Sequence, residues 1–152
     1  MTEAIRPSVM PDLLGRPLTA QVSRSLAASP KQIYAAFTSQ WERWFAEPGT
    51  AIVEPAAGRP FFFETRHENQ RHPHYGRYLR LEPDRLVELT WLTGVKGTSG
   101  AETVLTVEIA PEAGGSAVTL THAGFYDEAS AEQHRQAWQG PVLDLLDQRF
   151  AS

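Results

Sequence analysis

The segment 127-DEASAEQHRQAWQGPVLDLLDQRF-150 decides the fold of this chain. It begins with Asp127, Glu128 and Ser130, which favour a helix start because such side chains cap free backbone N–H groups and face the positive end of the helix dipole. Further side chains then recur at three- and four-residue steps, which predicts one buried helix face. That face carries His134, Trp138, Pro141 or Val142, Leu145, and Arg149 or Phe150.

Gly140-Pro141 interrupts this helix. Proline has no N–H to donate, and its ring crowds the carbonyl of Ala137, so a kink is expected here. A long helix with a tryptophan on its inner face needs a broad apolar partner. The preceding chain has the alternation of β-strands, so the expected partner is a curved sheet.

Composition favours one ordinary globular domain. The chain has 152 residues, of which 41% are hydrophobic and 21% are charged. Its net charge of −4, without a basic run, argues against nucleic-acid binding. Cysteine is absent, which rules out disulfides and cysteine metal sites and favours a cytoplasmic location. No apolar run is long enough for a signal peptide or a bilayer span, so no membrane insertion is expected.

The order of the predicted elements is strand, two short helices, a run of strands, and the long helix. Residues 1–16 are predicted to form a flexible N-terminal tail, and residues 17–152 a single domain. A strand over 18–26 precedes a helix that starts at Ser29-Pro30, and a second short helix or turn covers 40–45. Further strands are predicted at 51–54, 60–65, 74–81, 85–92, 102–110 and 116–124. Sequential hairpins imply an α+β domain with a six- to seven-stranded antiparallel sheet and helices on one face.

Short sequence motifs support a family resemblance that spans Leu18 to Phe150. They include Ala28-Ser29-Pro30, Trp44-Phe45, Gly76-Arg77-Tyr78-Leu79, Thr90-Trp91, and Val118 to His122 with Gly124-Phe125. In order and spacing they resemble the helix-grip superfamily called SRPBCC or START-like. Within it, the chain is similar to the Aha-type family, typified by the C-terminal domain of the heat-shock-protein ATPase activator. The resemblance implies a curved sheet wrapped on the C-terminal helix, with a cavity between them. Arg59, Pro60, Phe62 and Gly140-Pro141 depart from the family pattern.

The implied cavity makes the inward-facing residues candidates for binding a small hydrophobic or amphipathic molecule. Alternation and helical spacing supply the inward positions. The candidates are Trp44, Phe45, Phe61, Phe63, Trp91, Leu105, Val107, Leu120, His122, His134 and Trp138. Most large aromatics in such positions are simply core. His122 and His134 are either hydrogen-bonded residues at the rim of the core or polar anchors for the ligand.

Catalytic and metal sites are not indicated. His72-Pro73-His74 places two imidazoles on one strand face near His67, but no Asp, Glu or Cys clusters with them. Alternation sends Glu88, Glu102 and Glu108 to the solvent face, and no nucleophile motif is present. No metal, cofactor or catalytic residue is therefore predicted, and a binding protein is favoured over an enzyme.

Two rival functions stay open. The first is a chaperone-associated regulatory module of the stress response that acts through its surface. The second is a cyclase-like or hydrolase-like enzyme that uses one polar group in the cavity. Phe62 points away from Phe61 and Phe63. It is therefore either part of a contact surface, such as a homodimer interface, or a lone exposed aromatic residue.

Overall fold

The computed structural model describes residues 10–95 and 97–151. Within them the strands are β1 (Leu18–Leu26), β2 (Ile52–Val53), β3 (Pro60–His67), β4 (Gln70–Glu82), β5 (Leu86–Trp91), β6 (Thr103–Glu112) and β7 (Gly115–Phe125). The helical elements are α1 (Pro30–Ala36), a 3-10 turn (Trp41–Arg43), α2 (Glu128–Ala137), a π-helical turn (Trp138–Val142) and α3 (Leu143–Phe150). No helix in this part of the chain is long and apolar enough to cross a membrane.

The strands form one antiparallel sheet in the order β1-β7-β6-β5-β4-β3-β2. Strands β2 to β7 follow one another as a meander, and β1 pairs with β7 along its whole length. The C-terminal helical segment packs on the inner face of this sheet, and α1 with the 3-10 turn follows the first strand. The predicted α+β helix-grip fold is confirmed.

The β3–β4 hairpin extends further than the sequence predicted. Glu68 and Asn69 form its two-residue turn, with φ values of 52° and 63°. Positive φ at both central residues matches the right-handed twist of the flanking strands, so the pairing continues up to the turn. Strand β4 therefore begins at Gln70 rather than at the predicted His74, and it carries His74 on the inner face opposite Phe63.

Trp41 fills the end of the domain next to α1. Its ring centroid lies 4.7 Å from that of Phe63, and its Nε1 donates to the hydroxyl of Tyr78 at 3.0 Å. That hydroxyl in turn donates to the carbonyl oxygen of Phe37 at 2.8 Å. Both buried polar groups thus have partners, and this end of the interior is closely packed.

The C-terminal helix begins where the sequence predicted, because the carboxylate of Asp127 accepts from the backbone N–H of Ser130 at 2.7 Å. The interruption at Pro141 takes the form of the π-helical turn. Such a turn accommodates one extra residue, so the buried face moves one position along the chain. The prediction for Leu145 was wrong for this reason: Leu143, Leu146 and Phe150 are the buried residues of α3, and Leu145 is only half-buried.

Two acidic residues of α3 attach this helix to the rest of the domain. Asp147 accepts from the backbone N–H groups of Ala27 and Ala28 at 3.0 and 2.8 Å. Asp144 accepts from Arg24 at 2.7 Å, and the same guanidinium donates to the carbonyl oxygen of Gln139 in the π-helical turn at 3.0 Å. These bonds hold the end of β1 against the helix on both sides of the interruption.

Two further expectations concern the N-terminal tail and the outer face of the sheet. Within the predicted tail, Arg16 donates to the carbonyl oxygens of Gly124 and Glu102, both at 2.8 Å. Residues 1–9 lie outside the described residues, so the boundary at residue 17 stays a prediction. Glu88 lies on the outer face, but the prediction that it faces solvent was wrong, since Arg80 and Thr106 cover it with hydrogen bonds.

Replacing Asp147 by alanine should lower the free energy of unfolding by about 1–3 kcal/mol, because two backbone N–H groups lose a charged acceptor. Urea unfolding followed by circular dichroism measures the change. Gln148→Ala, at an exposed neighbouring position, is the control and should stay within about 0.5 kcal/mol of the wild type. Equal stability of the two variants would contradict a role for Asp147 in holding the helix.

Candidate functional site

A cavity of about 760 Å³ opens between the β3–β4 hairpin and the C-terminal helix. The hairpin supplies one wall, from Thr65 to His74. A second wall is Trp91 with the loop after β5 (Thr93 to Val95 and Gly97). The helical wall consists of Gln133, His134, Ala137, Trp138, Pro141 and Val142, and Phe45 adds an aromatic surface.

Aromatic rings form the deep part of this cavity. The ring centroids of Trp91 and Trp138 lie 5.6 Å apart, and those of Phe45 and Trp91 lie 6.1 Å apart. Both tryptophans are buried among the core residues beneath, so their positions are fixed by packing. Rigid apolar walls of this kind supply binding energy by removing apolar surface from water.

His74 brings a polar atom into these aromatic walls. Its ring stacks on Phe63 at a centroid distance of 5.1 Å and meets the edge of Trp91 at the same distance. Its Nδ1 lies 3.0 Å from the carbonyl oxygen of His72. A carbonyl only accepts, so Nδ1 carries the proton and Nε2 of the neutral ring is an acceptor. Burial lowers the pKa of His74 to about 4, which keeps the ring neutral near pH 7.

His134 has the same arrangement on the opposite wall. Its Nδ1 lies 2.8 Å from the carbonyl oxygen of Ser130, one turn earlier in α2. The proton therefore again lies on Nδ1, and Nε2 is left as an acceptor. Burial lowers the pKa of this histidine as well. Two neutral imidazoles thus line one cavity.

His122 lies behind the cavity in the packed core. Trp138 donates its indole N–H to Nδ1 of His122 at 3.2 Å. Indole N–H is only a donor, so the proton of the neutral imidazole is on Nε2, which lies 2.7 Å from the hydroxyl oxygen of Thr103. That hydroxyl donates to the carbonyl oxygen of Trp91 at 2.5 Å. Both ring nitrogens are thereby satisfied, and burial holds the pKa of His122 well below its ordinary value.

The structure divides the predicted ligand-binding residues into two groups. Phe45, Trp91, His134 and Trp138 line the cavity. The remaining candidates lie in the core instead: Trp44, Phe61, Phe63, Leu105, Val107, Leu120 and His122. Sequence reasoning missed His74 as a candidate for ligand binding and also missed Pro141 and Val142. The alternation of β4 would have identified His74 once the Glu68-Asn69 turn had fixed the hairpin register.

The loop after β5 is held in place by its own hydrogen bonds. Thr93 and Thr98 each donate a backbone N–H to the other's hydroxyl oxygen, at 2.9 and 2.7 Å. Gly97 packs against the Thr93 side chain so closely that a Cβ would clash. The hydroxyl of Ser130 donates to the carbonyl oxygen of Gly97 at 2.9 Å, which attaches this loop to the start of α2.

Metal binding receives no support from the side chains at the hairpin. Within residues 10–95 and 97–151 no group of three or more His, Cys, Asp or Glu residues is placed to hold a metal ion. His67 and His72 have ring centroids 6.4 Å apart at the cavity rim, while His74 points inward to the aromatic walls. The absence of a metal site stays a prediction.

Residues 27–151 match the family model described as Activator of Hsp90 ATPase homolog 1-like protein. The chain belongs to this family. The match covers the described domain from the end of β1 to the end of α3, and it confirms the predicted family resemblance. No curated protein matches the chain.

Solved structures similar to this family member share its fold. Protein CV1439 from Chromobacterium violaceum has a TM-score of 0.74 at 23% identity, with 90% of this chain and 99% of that chain covered. Mll3558 from Rhizobium loti has a TM-score of 0.71 at 19% identity, covering 87% and 96%. The AHSA1-like protein from Aeromonas hydrophila has a TM-score of 0.63 at 19% identity, covering 87% and 91%.

The three neutral histidines predict a loss of stability on mild acidification. Their folded-state pKa values lie below the unfolded value of about 6.5, so below that pH the unfolded chain binds protons that the folded chain does not. Stability is therefore fully present above about pH 6.5. It should fall by up to about 1.4 kcal/mol per pH unit for each histidine as the pH drops towards the folded values, near 4 for His74.

Urea unfolding at pH 8, 7, 6 and 5 measures this loss before most carboxylates titrate. Long-range ¹H–¹⁵N spectra check the assignment, with the proton on Nε2 of His122 and on Nδ1 of His74 and His134. If the free energy of unfolding at pH 5 equals or exceeds that at pH 7, the predicted loss of stability is contradicted.

Proposed function

We propose that this family member binds a small apolar or amphipathic molecule in the cavity between its C-terminal helix and the β3–β4 hairpin. The supporting observation is the cavity itself, whose volume of about 760 Å³ lies in the range of small-molecule sites. Its deep walls are the aromatic rings of Phe45, Trp91 and Trp138, and polar side chains such as Arg71 and Gln133 surround its mouth. An amphipathic molecule would bury its apolar body and keep a polar end near the rim.

The state of the histidines favours binding over catalysis. A general base works best with a pKa near the working pH, and His74, with a pKa of about 4, is a weak base. Glu68 is the carboxylate among the described cavity residues, and its side chain is 78% exposed at the rim. A buried acid–base pair, which a cyclase-like or hydrolase-like enzyme would use, is therefore not formed by these cavity residues.

A cytoplasmic location, which the cysteine-free sequence favours, stays a prediction.

Ala137→Trp should abolish binding of a neutral apolar dye such as N-phenyl-1-naphthylamine. The new side chain would occupy the open cavity from the helical wall, and an open space accepts added volume that a packed core does not. The measurement is dye fluorescence, excited beyond tryptophan absorption, together with the midpoint of thermal unfolding.

Gln136→Trp is the matched control, since it adds the same side chain on the exposed side of the same helix. It should bind the dye as the wild type does. Dye binding that survives in Ala137→Trp, or that is absent from the wild type, would contradict the proposed cavity function.

A surface function is the second candidate, and a row of outward-facing apolar residues favours it. Ile52, Phe62 and Tyr75 are direct neighbours across β2, β3 and β4, and Ile52 and Tyr75 are 72% and 42% exposed. Such a row suits contact with a protein, either a second copy of this chain or an Hsp90-type chaperone as the family description suggests.

Phe62→Ser should then abolish both kinds of contact without changing dye binding. Sedimentation velocity at high concentration detects the homodimer, and the ATPase rate of a purified Hsp90 detects the chaperone contact. A wild-type protein that stays monomeric and leaves the ATPase rate unchanged would eliminate this candidate.

A further inference from the structure

The polar atoms that His74 and His134 offer are both hydrogen-bond acceptors. In each ring the donor nitrogen is already used by a backbone carbonyl, that of His72 for His74 and that of Ser130 for His134. A neutral imidazole has one donor and one acceptor, so Nε2 can only accept. The rings approach from opposite walls, one on the hairpin and one on the helix.

The backbone fixes this polarity. The carbonyl of Ser130 belongs to the first turn of α2, and its alignment with Nδ1 of His134 follows from the four-residue spacing on one helix face. His74 is held by stacking on Phe63 and by edge contacts with Phe45 and Trp91. Neither ring can turn over to present its N–H to the cavity without breaking its hydrogen bond to the backbone.

The indole N–H of Trp138 is also used. Trp138 donates its N–H to His122 in the core rather than to the cavity. Arg71, a cationic residue at the rim, is 61% exposed and lies 3.9 Å from the carboxylate of Glu47. An anionic group placed beside Nε2 of His74 or His134 would therefore lose its hydration next to a lone pair.

We infer that the cavity selects a neutral ligand with a flat apolar body and a hydroxyl or N–H group, which donates to Nε2 of His74 or His134. This inference rests on the proposed function and specifies its ligand class. A hydroxyl donor bound by either imidazole satisfies a buried acceptor, whereas an ether or a carboxylate of the same size leaves that acceptor without a partner. The lowered pKa values of both histidines keep Nε2 unprotonated near pH 7, so neither ring carries a charge that would attract an anion.

Three probes with the same ring system test the inference by isothermal titration calorimetry at pH 7. They are 2-naphthol, 2-methoxynaphthalene and 2-naphthoate, which carry a donor, an ether and an anion respectively. We expect 2-naphthol to bind at least tenfold more tightly than either of the others. Equal affinities of 2-naphthol and 2-methoxynaphthalene would overturn the inference and leave the cavity function standing. Failure of all three to bind would overturn the cavity function itself.

Variants then assign the preference to the histidines. His134→Phe and His74→Phe keep a flat ring and remove the acceptor, so at least one of them should reduce the preference for 2-naphthol to about threefold or less. His134→Gln restores an acceptor and should recover part of it. Gln136→Phe, which adds the same ring on the solvent side of α2, should leave the preference unchanged. A full tenfold preference in the His74→Phe/His134→Phe double variant, folded by circular dichroism, would overturn the assignment.

Discussion

The hydrogen bond from the indole of Trp138 to His122 connects the two halves of this domain. It joins the C-terminal helix to β7, and His122 continues the connection through Thr103 to the carbonyl of Trp91 on β5. Each donor in this series of hydrogen bonds has an acceptor. A buried polar network requires this if it is to stabilise a core rather than weaken it. Because the bond fixes Trp138 next to Trp91, it also positions two aromatic rings of the cavity.

The π-helical turn makes this contact compatible with the rest of the helix. Pro141 cannot donate a hydrogen bond, and the extra residue in the turn moves the buried position from Leu145 to Leu146. Asp147 attaches the shifted helix to Ala27 and Ala28 just after β1, and Asp144 attaches it to Arg24 of β1. Pro141, which interrupts the helix, and its neighbour Val142 then lie at the cavity. An irregularity in the helix therefore contributes directly to the site.

Alternation and capping predicted an antiparallel sheet with helices on one face, and the family resemblance implied the helix-grip arrangement. The period of two in β1 and β6 and the cap at Ser29 depend on local chemistry, so a single sequence reveals them. The site depended on features with no local signal. Whether an inward aromatic lines a cavity or fills the core depends on distant neighbours, and Trp41 occupies the space that Phe61 and Phe63 would otherwise line. The shift at Leu145 depended on the choice between a kink and a π-helical turn, which Pro141 alone does not decide.

The location of the cavity follows from where the aromatic packing ends. Trp41, Trp44 and Phe63 fill the interior near α1, and the extended β3–β4 hairpin reaches beyond them to form one wall of the cavity. The space that remains is bounded by rings whose edges and faces are already packed on one side, so it does not collapse. His74 and His134 enter this space with their protons turned back to the backbone. The fold thus produces an apolar cavity in which His74 and His134 are acceptors, and this polarity is set by secondary structure.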